Sequence, residues 1–249
     1  MSYLNRIFLS VIVLASVLSF QTLFAQNETS FKYKPGLEYF KSFGTDTYNY
    51  LKAPLKWKGD NVAIATFIVG STLLIYSGDE AISSGIQQMK SVASKKISSI
   101  VEPLGRGYTI MGGTGALYVA GLISKNKKIQ RASLQALKVE AIGSVIVGAT
   151  KFVSQRARPN QNLGPYYWNP LKENDYHSFF SGHATYAFCA ASMIAQYSKK
   201  KWVDVAVYTL ATAVAFSRVH DFKHWPTDVI IGSVFGITLS HNIFSNTNW

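Results

Sequence analysis

The chain has 249 residues, 48% hydrophobic and 15% charged, with 25 Lys and Arg against 13 Asp and Glu. That length allows one sizeable core, and a formal net charge of +12 calls for an acidic partner: nucleic acid, anionic lipid headgroups or a phosphorylated substrate. The basic residues fall in separate clusters between apolar segments, which argues against nucleic acid, and the single cysteine, Cys189, excludes an internal disulfide.

Residues 1–25 have the pattern of an export signal: Arg6, an apolar run at 7–20, and Ala25 as the small residue before a cleavage point. Leu23 departs from the small-residue rule, so an uncleaved anchor is the alternative. Residues 26–59 are aromatic and lysine-rich, with Pro35 and Pro54, and predict an extended N-terminal arm. The folded domain then spans 60–249.

Residues 62–77 carry no charge and predict the first core helix. Over 79–96, Ile82, Ile86, Met89 and Ala93 recur at three- and four-residue spacing, the pattern of an amphipathic helix lying on a surface. Pro103, Gly105 and Gly107 break it. A glycine-rich apolar helix follows at 108–124, then a basic turn at 125–128, then a long helix at 131–158 stopped by Pro159. The loop at 160–180 holds Tyr166, Tyr167 and Trp168. Further helices are predicted at 179–197, 203–217 and 226–244, with a basic turn at 199–201 and Pro226 in the first turn of the last. No stretch shows sustained strand alternation. The fold class is therefore all-α, an antiparallel bundle of about six core helices with one amphipathic surface helix.

Three groups of polar residues stand out against this frame. Lys151 and Arg158 are nearly two helical turns apart, so both point the same way, about 10 Å apart along the axis. Ser181-Gly182-His183 opens the next helix, where an N-cap serine, a glycine and free N–H groups suit a phosphate. Arg218 ends the helix after that, and His224 and Asp228 open the last, one turn apart. Taken singly, a solvated basic helix end, ordinary capping and a surface His–Asp contact account for each group better. Taken together they do not, because antiparallel neighbours bring all four helix termini to one end of the bundle.

In order, spacing and residue type, the set resembles the signature of the type 2 phosphatidic acid phosphatase family: Lys151, six residues, Arg158-Pro159; Ser181-Gly182-His183; Arg218, five residues, His224, three residues, Asp228. That superfamily also takes in class A acid phosphatases and vanadium haloperoxidases. Phe180 stands where the family has Pro, a departure that bears on loop geometry rather than on a reacting group. The resemblance implies that His224 attacks phosphorus and becomes a phosphohistidine, with Asp228 orienting it. It implies that His183 protonates the leaving oxygen and then activates water. Lys151, Arg158, Arg218 and the Ser181-Gly182 backbone would hold the phosphoryl oxygens, with no metal and no cofactor, since phosphoryl transfer is mostly positioning and charge stabilisation. His177, His220 and His241 have no place in the motif and read as structural or exposed, and Arg156 reads as peripheral.

The function expected is thus a metal-independent phosphatase of phosphate monoesters with a phosphorylated lipid as substrate: phosphatidate, an isoprenoid diphosphate or lipid A phosphate suits the apolar helices. A broad-specificity soluble periplasmic acid phosphatase acting on small phosphomonoesters is the alternative, and a non-catalytic lipid-binding or transport protein the third. The expected place is the cell envelope, at or in the membrane, with the active end facing the periplasm. The charge-free runs fall short of the roughly 20 residues that span a bilayer. If they do span, the basic turns at 125–128 and 199–201 prefer the cytoplasm. Export of 26–59 followed by crossings at 62–77 and 108–124 gives the opposite parity.

Overall fold

The computed structural model describes residues 36–172 and 175–246. The proposed export signal lies outside the described residues. Among them the fold is all-α: nine α-helices, three short 3₁₀ turns and one isolated β-bridge between Arg156 and Trp168.

The helices are α1 (Leu37–Lys52), α2 (Asp60–Ser77), α3 (Asp79–Gln88), α4 (Val92–Val101), α5 (Gly107–Ile123), α6 (Lys127–Ser154), α7 (Gly182–Ser198), α8 (Lys201–His220) and α9 (Pro226–Asn246). The core lies between α6, α7, α8 and α9. Phe188, Tyr208, Val214 and Val219 form one buried cluster, and Val139, Ile142, Met193 and Leu239 another. Helices α7 and α9 come unusually close because Gly232 and Gly236, one turn apart, face α7. A Cβ at Gly232 would lie 2.6 Å from Ser181 O, and one at Gly236 2.5 Å from Thr185 O. Any side chain there would part the two helices whose N-termini hold Ser181 and His224.

Four predicted elements differ. Within the arm read as extended, residues 37–52 are helical. Tyr39, Phe43 and Tyr50 share a face: Tyr39 Oη donates to Leu134 O (2.9 Å), and Tyr50 Oη pairs with Thr238 Oγ1 (2.8 Å). Between them Lys138 Nζ reaches Asp46 Oδ2 at 2.7 Å, a buried ion pair tying α1 to α6. Helix α2 forms as expected but is no core helix, since none of its residues is buried and Phe67, Leu73 and Leu74 are exposed. The amphipathic segment is two helices, because Ser91 starts a new one through a capping box with Ser94. The long helix ends at Ser154, four residues early, where Gln155 adopts the left-handed conformation (φ 43°).

Among the described residues three helices, Asp60–Ser77, Lys201–His220 and Pro226–Ser245, are long and apolar enough to cross a membrane. They exceed the charge-free runs because polar helix ends extend them.

Candidate active site

The expected convergence is present. Helix α8 ends at His220, and the chain doubles back through Phe222 in the left-handed region (φ 60°), with Lys223 N and His224 N both donating to Arg218 O (3.0 and 3.3 Å). Pro226 then opens α9. This tight return buries His224, with Nδ1 2.8 Å from Ser178 O. A carbonyl only accepts, so Nδ1 carries the proton and Nε2 keeps its lone pair, the tautomer a nucleophile needs. Burial, aided by the charge of Lys151, lowers the imidazole to about 3, against the opposing pull of Asp228. His224 is therefore neutral at ordinary pH.

Asp228 does not hold that ring directly: its Oδ2 is 3.8 Å from Nδ1. Its carboxylate accepts from Ser178 Oγ (2.5 Å) and Trp225 N–H (2.9 Å) through Oδ2, and from Arg156 Nη1 (2.5 Å) through Oδ1. It caps the start of α9 and fixes Ser178, whose own carbonyl holds His224.

Arg156, read as peripheral, is the most central cation of the site. It is fully buried, and its Nη2 lies 2.7 Å from Asp79 Oδ2. Its Nη1 also meets Thr227 Oγ1 (3.0 Å), and Nε and Nη2 donate to Pro165 O (3.0 and 2.8 Å). The guanidinium lies 5.0 Å from the ring centres of Tyr76 and of Trp168. Helical angles place Arg156 off the Lys151–Arg158 face, but the helix has already ended at Ser154.

Lys151 and Arg158 meet for the same reason by a different route than predicted. Lys151 projects from the last turn of α6 and Arg158 from the extended chain beyond it. Both reach His177 O, at 2.7 Å from Nζ and 3.4 Å from Nη2. Burial, then the charge of Arg158, lowers Lys151 to about 8. The Nε–H groups of Arg158 and of Arg218 are buried without a hydrogen-bond partner. Cations that depress one another and leave donors unused describe a site shaped for an anion.

Ser181 caps α7 by accepting from Ala184 N (3.4 Å), and its own N–H donates to Asp228 O (3.0 Å), which locks α7 to α9 at the site. Gly182 leaves room against Tyr186 and Val147, where a Cβ would stand 3.3 and 3.5 Å away. His183 is partly exposed, and its Nε2 lies 2.7 Å from Glu102 Oε1. Burial, then Arg218, lowers this imidazole, and Glu102 opposes them. Glu102 had no signal in the sequence beyond standing before the helix-breaking Pro103. Two of the remaining histidines serve the framework: His177 lends its carbonyl, and His220 joins Asp221 (2.9 Å) and Ser94 (3.0 Å). Phe180 is buried, its ring 5.0 Å from that of Phe235.

Residues 132–249 match the sequence model of the PAP2 superfamily. The chain is 25% identical over 186 residues to an undecaprenyl-diphosphatase of Sulfolobus acidocaldarius, covering 72% of this chain and 86% of that protein. It is 36% identical over 104 residues to a lipid A 1-phosphatase of Porphyromonas gingivalis, which covers 39% of this chain and 21% of that protein. Two crystal structures share the fold. One is a transmembrane PAP2-type phosphatidylglycerolphosphate phosphatase from Bacillus subtilis (TM-score 0.53, 20% identity, 86% of this chain and 95% of that one). The other is LpxE of Aquifex aeolicus (TM-score 0.50, 22% identity, 66% and 92%).

Proposed function

With residues 132–249 matching the PAP2 superfamily, we propose that this protein is a membrane-bound phosphatase that removes phosphate from a lipid through a phosphohistidine, without a metal. The observation that carries the reading is a buried histidine with its Nε2 lone pair free, beside two arginines whose buried Nε–H groups have no partner.

In the first step the His224 Nε2 lone pair forms a bond to phosphorus while the bond from phosphorus to the lipid oxygen breaks. The proton of the His183 imidazolium goes to that leaving oxygen. Lys151, Arg158 and Arg218 neutralise the three phosphoryl oxygens as charge spreads over them, with the N–H groups at the start of α7 assisting. In the second step His183 takes a proton from water, the oxygen attacks phosphorus, and the P–N bond breaks to release inorganic phosphate. Asp228 acts through Ser178 and the capped start of α9 rather than by touching the ring.

A lipid is the favoured substrate because α2 buries none of its residues, exposes Val62, Phe67, Val69, Leu73 and Leu74, and ends beside the site, where Asp79 meets Arg156. A soluble acid phosphatase has no use for such a helix. The named relatives act on undecaprenyl diphosphate and on lipid A, so an isoprenoid or saccharolipid phosphate leads over phosphatidate.

The active end then faces the periplasm, since the basic turns at 125–128 and 199–201 lie at the other end and prefer the cytoplasm. Helix α1 packs on the half of the bundle nearer those turns, through Leu134 and Thr238. Residues 37–59 are accordingly cytoplasmic in this arrangement, and α2 makes the first crossing among the described residues.

The test is release of inorganic phosphate from undecaprenyl diphosphate, lipid A and phosphatidate by the purified full chain in detergent, with His224→Ala as the blank. Turnover of at least one lipid by the wild type alone is expected. No turnover of any, or equal turnover by His224→Ala, overturns the proposal.

A further inference from the structure

Glu102 sits in the 3₁₀ turn Glu102–Gly105 between α4 and α5, and no motif includes it. Its Oε1 meets two groups at once: His183 Nε2 at 2.7 Å and Arg218 Nη1 at 2.9 Å. Arg106 holds the same carboxylate from behind, with Nη2 2.8 Å from Oε2. Burial raises this carboxyl, but hydrogen bonds from Arg106 and His183 and the Arg218 charge outweigh it and hold it at about 2. It is ionised throughout the working range. The turn can come this close only because residue 105 is glycine: a Cβ there would stand 2.4 Å from Val214 Cγ1 and 3.0 Å from His183 O.

We propose that Glu102 is a positioning residue for both halves of the chemistry, holding the proton-transferring His183 and the phosphate-holding Arg218 with one carboxylate. The inference rests on the roles given above to those two residues. Arg218 is gripped at Nη1 by Glu102 and at Nη2 by Asp221 (2.8 Å), which leaves its buried Nε–H as the donor for phosphate. His183 is gripped at Nε2, which leaves Nδ1 to exchange a proton with the leaving oxygen and then with water.

The charge matters as much as the geometry. His183 faces Arg218 from α8, Arg106 from the start of α5 and Glu102 from the 3₁₀ turn. Two of these are cations that disfavour the imidazolium, and Glu102 is the carboxylate that favours it. A substrate phosphate, by neutralising Arg218, would act in the same direction. Without Glu102 the general acid would be deprotonated where it is needed, as in other imidazole–carboxylate pairs that stabilise the charged ring.

The experiment compares wild type, Glu102→Gln, Glu102→Asp and His183→Ala, all as purified full chain, on dodecyl phosphate and on p-nitrophenyl phosphate. Glu102→Gln is expected to lose about 10²-fold on the alkyl ester, where the leaving oxygen needs a proton, and under about tenfold on the nitrophenyl ester. The alkaline limb of kcat/KM should move down by about one pH unit, the usual effect of removing an opposite charge at hydrogen-bond distance. Glu102→Asp should recover part of both effects. Should Gln unfold the protein, the Asp variant alone gives the ratio and the limb. Equal losses on the two esters with an unmoved limb overturn the inference, as does tighter inhibition by sulfate, which would make Glu102 a plug in the anion site. If His183→Ala is selective between the esters and Glu102→Gln is not, the inference alone falls. If His183→Ala shows no selectivity, the acid–base role falls and the inference with it.

Discussion

Arg156 Nη1 lies 2.5 Å from Asp228 Oδ1, and both side chains are wholly buried. Through Nη2 the same guanidinium holds Asp79, whose carboxylate accepts from Thr227 N–H (3.0 Å) at the start of α9. One arginine thus links the α2–α3 junction, the loop after α6 and the helix start that carries the nucleophile. Asp228 also feels the charges of Lys151 and Arg158, so the two carboxylates are not left to one cation. Hydrogen bonds from Thr227, Trp225 and Ser178 take up the remaining carboxylate lone pairs.

Replacing Arg156 by Met should therefore be severe. It leaves Asp79 and Asp228 buried without their cation, and breaking a single buried pair from one side costs roughly 3–5 kcal/mol. Arg156→Lys keeps a charge but cannot bridge both carboxylates and Pro165 O. The expected order of thermal unfolding temperatures in detergent is wild type, Lys, Met, with activity following. An Arg156→Met protein that melts with the wild type and turns over substrate would show the cluster to be idle.

Much of this arrangement was legible from spacing alone. The short connections from α7 to α8 and from α8 to α9 forced the start of α7, the end of α8 and the start of α9 to one end, and antiparallel order put the end of α6 there across the longer loop, so Lys151, Ser181, Arg218 and His224 were placed by topology. Arg156 and Glu102 were not, because their partners are 77 and 81 residues away in sequence and no local period marks them. The exposure of α2 was hidden for a different reason. A charge-free run reads the same whether it packs in a core or on a surface, and only the lack of any buried residue in α2 tells them apart. In α1, aromatics at 39, 43 and 50 read as mere composition until Leu134 and Thr238 supplied the surface they pack against.

Lys151 offers a test by pH. Its ammonium, lowered to about 8, is present below that value and lost above it. Affinity for an anion in the empty site should fall as pH rises through about 8, by up to about tenfold per unit. Sulfate is the probe, since it does not itself titrate there. Its inhibition constant should climb above pH 8 for the wild type and stay level for Lys151→Arg, which keeps its charge. A wild-type constant that is flat from pH 7 to 10 would remove Lys151 from the anion site.

In the proposed mechanism three cations meet the phosphoryl oxygens and take the part a divalent ion would play. Turnover should survive EDTA and be blocked by vanadate, which takes the trigonal-bipyramidal shape of the transferring phosphoryl group. Activity lost in EDTA and restored by a divalent ion would contradict the proposed chemistry.

Orientation can be read by labelling, because Cys189 is buried and silent. A cysteine at Leu163, which is exposed in the loop at the active end, should react with an impermeant maleimide on intact cells. A cysteine at Lys200, in the opposite basic turn, should react only after the membrane is permeabilised. The reverse pattern would turn the protein over and restore the exported arm.

The two histidines should separate by their roles. His224, neutral and with Nε2 unprotonated, is the proposed nucleophile, so His224→Ala should abolish turnover of every ester, however reactive. His183 is the proposed acid, and an acid matters most when the departing oxygen is strongly basic. An alkoxide needs that proton and a nitrophenolate hardly does, which for general acid catalysis is a difference of about 10²- to 10⁴-fold. His183→Ala should lose most activity on dodecyl phosphate yet release a burst of nitrophenolate from p-nitrophenyl phosphate. The burst should stop at one equivalent, because the same residue is needed to activate water against the P–N bond. Acid-sensitive, base-stable radioactive phosphate should then accumulate on the protein, read by rapid quench beside nitrophenolate release. Label trapped on His224→Ala, or neither burst nor label on His183→Ala, would reverse or remove the assigned roles.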